Sequence, residues 1–113
     1  MSGVAGLYNV PGTQEELNEW ACIHATHHRD INQEIFRLTG ILLGEFPLDP
    51  IPLNALGAWT YQHQSMHAQF EAVLGIAGFD LTDVNLQDRN QLEGWIFLNA
   101  SLHTQAANIL RIG

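Results

Sequence analysis

The chain has 113 residues, of which 12 are acidic and 4 are basic, so its formal net charge is −8. This length accommodates one small domain but no second independent core. An acidic surface repels nucleic acid and anionic lipid, so we expect neither nucleic acid nor a membrane as a partner. Only 14% of the residues are charged, which favours assembly with other proteins, although a weakly charged monomer is the alternative.

The cysteine content and the N-terminal residues indicate a protein made in a cytosol. Cys22 is the only cysteine, which excludes an intrachain disulfide and a cysteine-rich zinc site, and we expect a buried, inert thiol. The N-terminus lacks the basic and long apolar regions of a secretory signal peptide. The longest charge-free stretch, residues 50–70, contains two histidines and three glutamines, so it does not predict a membrane span.

An N-terminal arm and a first helix are predicted at the start of the chain. Residues 1–12 contain three glycines and a proline together with apolar side chains, so we expect an extended arm that docks on a neighbouring molecule. The stretch from Thr13 to Glu16 fits a capping box, which starts a helix. This first helix is predicted over about residues 13–43, with Gly44 as its C-terminal stop.

Two further helices and two connectors complete the predicted fold. The second helix is predicted over about residues 53–77, and Asp88 caps a third helix over about residues 88–111. No segment shows the two-residue alternation of a strand. We therefore expect an all-α fold, a single up-down-up three-helix bundle with an extended N-terminal arm over residues 1–12. Connectors 45–52 and 79–87 carry apolar residues predicted to contact neighbours: Phe46, Leu48, Ile51, Phe79, Leu81 and Val84.

The motif L-x-x-W-x3-[H/N]-x3-H occurs once in each predicted helix, which indicates an internal repeat. Its tryptophans, which we interpret as core anchors, are Trp20, Trp59 and Trp95. The polar positions that follow them are His24 and His28, then His63 and His67, then Asn99 and His103. At 100° per residue these positions share the apolar face of each helix. The repeat thus predicts a polar cluster inside the bundle.

The antiparallel middle helix predicts two layers of these polar side chains, about 6 Å apart along the bundle. The first layer contains the candidate metal ligands, His28, His63 and His103. The second layer contains His24, His67 and Asn99. Imidazoles from neighbouring helices are typical ligands of zinc, iron or nickel, and a water would complete the site. The outline is similar to the three-histidine sites of DinB-like helical bundles, although that family generally has four helices.

A hydrogen-bonded network of neutral imidazoles is the alternative role for these histidines, and it is the more common one. We expect His27 to lie at the edge of the face as a boundary residue. The nearest carboxylates, Glu34 and Glu71, are not predicted as ligands, so we do not expect a di-iron carboxylate centre. The chain has no phosphate-binding loop and no nucleophile beside an evident base, so we assign no catalytic residue and expect no enzyme.

Several short motifs resemble those of a group of small tailed-bacteriophage proteins, which are encoded among head and tail genes. The motifs are Met1-Ser2-Gly3-Val4-x-Gly6-Leu7, Leu48-Asp49-Pro50, His63-Gln64-Ser65-Met66-His67 and Trp95-Ile96-Phe97-Leu98 leading to His103. The resemblance implies a structural component of the virion at the tail, neck or baseplate, made in the host cytoplasm. Its partners would be other phage structural proteins and copies of itself.

Two other functions remain open at this point. One is a metal-binding helical-bundle protein or enzyme that uses the three-histidine site. The other, which has less support, is a phage protein that inhibits a host factor by imitating nucleic acid with its acidic surface.

Overall fold

The computed structural model describes residues 3–44, 56–79, 81–82 and 84–112 of the chain. A short 3-10 helix, Gly3–Tyr8, precedes three α-helices. These are α1 (Gln14–Thr39), α2 (Leu56–Leu74) and α3 (Arg89–Leu110), and the described residues contain no strand. The predicted all-α fold with three helices is therefore confirmed.

The N-termini of α1 and α3 are set by local side-chain caps, as the sequence predicts. Thr13 Oγ1 accepts a hydrogen bond of 3.1 Å from the Glu16 backbone N–H, while Glu16 Oε1 accepts one of 2.7 Å from Gly12. Asp88 Oδ1 accepts from the backbone N–H groups of Asn90 and Gln91 at 3.0 and 3.3 Å. Each cap satisfies backbone donors that have no partner within the helix, so both helices begin where the capping residues stand.

The first helix ends earlier than predicted, whereas the second ends directly before Gly75, one of the two glycines, with Gly78, that the sequence offers as its stop. α1 ends at Thr39 and not near Leu43, because Gly40 adopts the left-handed conformation with φ 76° and its N–H donates to the Phe36 carbonyl. α2 ends at Leu74, before Gly75. The predicted start of α2 and the connector 45–52, with Phe46, Leu48 and Ile51, lie outside the described residues.

The N-terminal segment packs against its own chain, which corrects the prediction of an extended arm docked on a neighbour. Residues 3–8 form one short 3-10 helix that contacts both α1 and α3. Leu7 is fully buried, and its carbonyl accepts a hydrogen bond of 3.2 Å from Trp20 Nε1. The Tyr8 hydroxyl forms a hydrogen bond of 2.9 Å with the Thr104 hydroxyl, which joins the segment to α3. The segment therefore covers one end of the core.

The segment between α2 and α3 also turns inward, which corrects the expectation that Leu81 contacts a neighbour. Leu81 is 1% exposed, and its carbonyl accepts a hydrogen bond of 3.0 Å from Trp95 Nε1. Gln64 on α2 holds the same segment, since its Oε1 accepts from the Leu81 N–H at 3.0 Å. Phe79, by contrast, is exposed.

The apolar core consists of two clusters with a polar layer between them. The first cluster surrounds Trp20 and Trp95 and includes Leu7 and Leu81, while the second surrounds Phe70. The histidine rings contact the tryptophans on one side and Phe70 on the other. A polar layer at this depth requires a specific reason, because burying polar groups without partners costs free energy.

Two surface features complete the fold. Cys22 is exposed on the outer side of α1, so the prediction of a buried thiol is wrong. Within the described part of the chain, no helix combines the length and the apolar composition that crossing a bilayer requires.

Candidate metal centre

Five histidines from three helices meet in the interior of the bundle. His24 and His28 come from consecutive turns of α1, His63 and His67 from consecutive turns of α2, and His103 from α3. Each of the five is at most 1% exposed. Two of them stack on the tryptophan one turn earlier in the same helix. The ring centroids are 4.5 Å apart for Trp20 and His24 and 4.7 Å apart for Trp59 and His63. We call these five side chains the histidine cluster.

The Nε2 atoms of the histidine cluster lie close together. His24 Nε2 lies 3.0 Å from His63 Nε2 and 3.1 Å from His28 Nε2. His103 Nε2 lies 3.1 Å from His28 Nε2 and 3.2 Å from His67 Nε2. One ring nitrogen from each of the five residues lies within 4.8 Å of every other. The contacts thus link all five rings through their Nε2 atoms, in the order His63, His24, His28, His103 and His67.

The four shortest separations match those of ligands that share one metal ion. Two nitrogens bound at about 2.1 Å, with an angle between about 90° and 110° at the ion, lie about 3.0–3.4 Å apart. The four contacts of 3.0–3.2 Å fall within this interval. The largest possible separation of two such ligands is about 4.2 Å. A contraction of about 0.6 Å from the 4.8 Å limit would thus bring all five nitrogens within reach of a single ion.

A network of neutral imidazoles accounts for these contacts less well. Each ring nitrogen carries either one proton or one lone pair in the ring plane, so it can form one in-line hydrogen bond. Five Nε2 atoms can therefore form two such pairs, whereas the histidine cluster has four contacts in which three of the nitrogens each take part twice. A cation at the centre can accept all five lone pairs at once. The geometry is thus compatible with a metal ion bound by the cluster.

The environment keeps the histidines neutral, as metal coordination requires. Burial lowers the pKa of His24, His28, His63 and His103 well below 6.5, and neighbouring imidazoles lower it further. Burial also lowers the pKa of His67, although Glu71 opposes this shift. The imidazoles therefore have lone pairs available at neutral pH.

Two further side chains contact the outer nitrogens of the histidine cluster. Glu71 Oε2 lies 3.4 Å from His67 Nδ1, and His27 Nδ1 lies 2.7 Å from His103 Nδ1. His27 is 2% exposed, so it belongs to the buried site and is not the boundary residue that the sequence predicts. Such groups behind ligating histidines are typical of metal sites, because they orient the ring and fix its proton.

The other nearby polar residues do not contribute a ligand. Glu34 forms an ion pair with Arg37, one turn further along α1, and is not a member of the histidine cluster. Asn99 is fully buried, and its amide favours the charged forms of His24, His63 and His67, although it makes no hydrogen bond of standard geometry with them. The described residues thus offer a site made of imidazole nitrogens alone.

The structure places the predicted ligands together but merges the two predicted layers. His28 and His103 are in contact, and both lie in one cluster with His63. His24 and His67, which the sequence assigns to a second layer, are in direct contact with members of the first. Histidines four residues apart on one helix are separated by a rise of about 6 Å along the helix axis. Their rings tilt towards each other, which brings the Nε2 atoms of His24 and His28 to 3.1 Å. All five histidines are therefore candidate ligands.

The fold and the site define a small helical bundle with an internal histidine cluster. No protein-family model, curated protein or solved structure matches this chain. The arguments about function therefore depend on the site itself.

Proposed function

We propose that this protein binds one divalent transition-metal ion in the histidine cluster. The observation that carries the proposal is the close approach of five buried imidazoles from three helices, with four Nε2–Nε2 contacts of 3.0–3.2 Å and one ring nitrogen of each within 4.8 Å of every other. Neutral imidazoles favour zinc, copper, nickel, cobalt and ferrous iron over magnesium and calcium, which prefer oxygen ligands. The protein's charge of −8 favours the entry of a cation and partly offsets the charge of the bound ion.

The role that the site supports best is structural binding of the ion, without turnover of an organic substrate. The ligands come from all three helices and are essentially unexposed, so an ion at their centre joins the helices from inside. Three tryptophan rings and Phe70 pack against the cluster. Only water, protons and the smallest molecules could therefore reach it. Metal binding then contributes directly to the free energy of unfolding.

Titration of the metal-free protein tests this proposal. We expect one equivalent of Zn²⁺, Ni²⁺ or Co²⁺ to bind in native mass spectra, and no Mg²⁺. Ni²⁺ should also quench tryptophan fluorescence, whereas Zn²⁺ should not, because an open-shell ion would lie beside imidazoles that stack on Trp20 and Trp59. A protein that takes up none of these transition metals would refute the proposal.

A ligand variant with a matched control identifies the site. His28 Nε2 has two contacts within the histidine cluster, so His28→Leu removes a central ligand while keeping a side chain of similar size. We expect its Zn²⁺ dissociation constant to rise at least about tenfold, in line with the loss of one ligand from a multidentate site. Thr26→Leu, on the exposed face of the same helix, should bind as the wild type does. Equal affinity in the two variants would place the metal elsewhere.

A structural role in a tailed-phage particle is the second candidate function. Besides the sequence resemblance, it has the support of large apolar side chains that remain exposed, among them Leu42 at 81%, Tyr61 at 69% and Phe97 at 60%. Such residues are typical of surfaces that contact other proteins. Mass spectrometry of purified particles would detect the protein if it is a component, and its absence from them would exclude this role. A metal in the core is compatible with it.

A further inference from the structure

One carboxylate reaches the histidine cluster from the end of α2. Glu71 follows His67 by one helical turn, and its Oε2 lies 3.4 Å from His67 Nδ1. The residue is 8% exposed, so its side chain lies mostly in the interior. Among the described residues, no other carboxylate forms an ion pair with a member of the histidine cluster. Glu71 therefore faces a nitrogen that points away from the centre of the cluster.

The loop after α2 confines this carboxylate. Ile76 donates a backbone hydrogen bond of 3.0 Å to the Glu71 carbonyl, which ties the loop to the end of the helix. Gly78 then passes so close to the Glu71 side chain that a Cβ at this position would overlap Oε1 and Cδ. The backbone of Gly78 is not in the left-handed region, so the overlap with Glu71 is what opposes a side chain there. Gly78 thus leaves the space that the carboxylate occupies.

We propose that Glu71 is a positioning residue that directs the Nε2 lone pair of His67 to the centre of the histidine cluster, and that Gly78 keeps Glu71 in place. The inference rests on the proposed function, since it assigns roles to residues behind a metal ligand. A neutral imidazole has one ring proton. An anionic acceptor beside Nδ1 holds that proton on Nδ1 and leaves Nε2 as the donor atom for a metal.

Four single substitutions separate this role from packing. Glu71→Gln keeps an acceptor oxygen but loses the charge, and Glu71→Leu loses both. Gly78→Ala keeps Glu71 but displaces it from its position. Gly94→Ala is the matched control, because a Cβ at this helical glycine meets nothing within 4 Å. The readouts are the tautomer of His67 in the metal-free protein, from the ¹⁵N chemical shifts of its ring, and the Zn²⁺ dissociation constant, from competition with a chelator.

We expect His67 to carry its proton on Nδ1 in the wild type, in Gly94→Ala and in Glu71→Gln. Glu71→Leu and Gly78→Ala should move part of the proton to Nε2 and weaken Zn²⁺ binding by about 10- to 100-fold, as is usual for groups behind a metal ligand. The Zn²⁺ affinity of Glu71→Gln should lie between those of these variants and the wild type, because its amide oxygen remains an acceptor near His67 Nδ1 but carries no charge.

Two results would overturn the inference. One is a wild-type His67 protonated on Nε2, and the other is an unchanged tautomer in Glu71→Leu and Gly78→Ala. The tautomer is measured without metal, so failure of the proposed function is recognised separately, as a wild type that binds no Zn²⁺. If Glu71→Leu lost Zn²⁺ affinity without a change of tautomer, the carboxylate would act by its charge alone, and the positioning role would be rejected.

Discussion

At the scale of single residues, we expect the histidine cluster to make the metal-free protein less stable than an apolar core would. Five imidazoles are buried, and their Nε2 atoms crowd to within 3.0–3.2 Å without enough protons to pair every contact. Buried polar groups lose their hydration, and the hydrogen bonds they form offset only part of that loss. Residues that cost stability are expected at functional sites, where the loss is compensated when the ligand binds.

Replacing one of these histidines by leucine therefore tests whether they serve function or packing. We expect His63→Leu to raise the free energy of unfolding of the metal-free protein by about 1–3 kcal/mol, because an apolar side chain of similar size replaces a desolvated imidazole. Urea denaturation in the presence of a chelator measures this difference, with Gln62→Leu on the exposed face of α2 as the control. A loss of stability of similar size would indicate a structural hydrogen-bond network.

The sequence identifies the histidines that form the cluster, but it does not predict the contacts between them equally well. The repeat identifies His24, His28, His63, His67 and His103 because the positions that face the core follow from helical geometry. The roles of His27 and Glu71 depend on side-chain conformations and on the close approach of Gly78, which arise only from tertiary packing. The spacing of four residues between His67 and Glu71 was the one visible signal of their contact.

At the scale of secondary-structure elements, the N-terminal 3-10 helix acts as part of the core. It buries Leu7 completely and supplies the carbonyl that accepts the Trp20 N–H. Glycines and a proline in residues 1–12 predict an irregular segment, and they do not indicate whether it packs on this chain or on another. That choice depends on the shape of the surface left between α1 and α3.

Truncation of Leu7 measures what this element contributes. We expect Leu7→Ala to lower the free energy of unfolding by about 2–4 kcal/mol, since a fully buried leucine leaves a cavity beside Trp20. Thermal or urea denaturation followed by circular dichroism provides the measurement, and Asn9→Ala on the exposed side of the segment is the control. If both variants were as stable as the wild type, the segment would not be part of the core.

The helix ends show why N-termini are easier to predict than C-termini. Thr13 and Asp88 bond to backbone groups within three residues, so the signal is local and the predicted starts are confirmed. The chain offers both Gly40 and Gly44 as stops for α1, and both Gly75 and Gly78 for α2. The first glycine of each pair adopts a positive φ and ends the helix, whereas Gly78 instead makes room for a carboxylate.

At the scale of the whole molecule, the buried histidines link stability to pH. Burial lowers their pKa in the folded state, while in the unfolded chain each returns to about 6.5. Below this value the unfolded chain binds more protons than the folded one, so acid favours unfolding. The free energy of unfolding therefore decreases as the pH falls through 6.5. The decrease continues until the pH reaches the pKa of the histidines in the folded state.

We expect the metal-free protein to lose stability steeply between pH 7 and pH 5. Each histidine that stays neutral in the fold contributes about 1.4 kcal/mol per pH unit below its unfolded pKa. Urea denaturation at a series of pH values measures this slope. The control is His63→Leu, whose slope should be smaller by the contribution of one histidine. A free energy of unfolding that does not change over this interval would mean that the histidines are not held neutral.

The overall architecture is the part of the molecule that the sequence predicts best. Apolar periodicity, two capping residues and the absence of strand patterns suffice for three helices in an all-α bundle. The internal repeat also predicts a polar cluster at mid-height. The merging of its two layers and the inward turn of Leu81 follow from packing between distant parts of the chain, which local patterns do not encode.

The distribution of the ligands along the chain has a consequence for fragments of the protein. His24 and His63 are 39 residues apart and His67 and His103 are 36 apart, so a bound ion closes two long loops, as a pair of disulfides would. A protease cut between α1 and α2 would leave the ligands of α1 on one piece and those of α2 and α3 on the other. If the ion binds as proposed, it would hold the two pieces together and a chelator would release them, so we expect halves divided at this point to reassemble when metal is supplied.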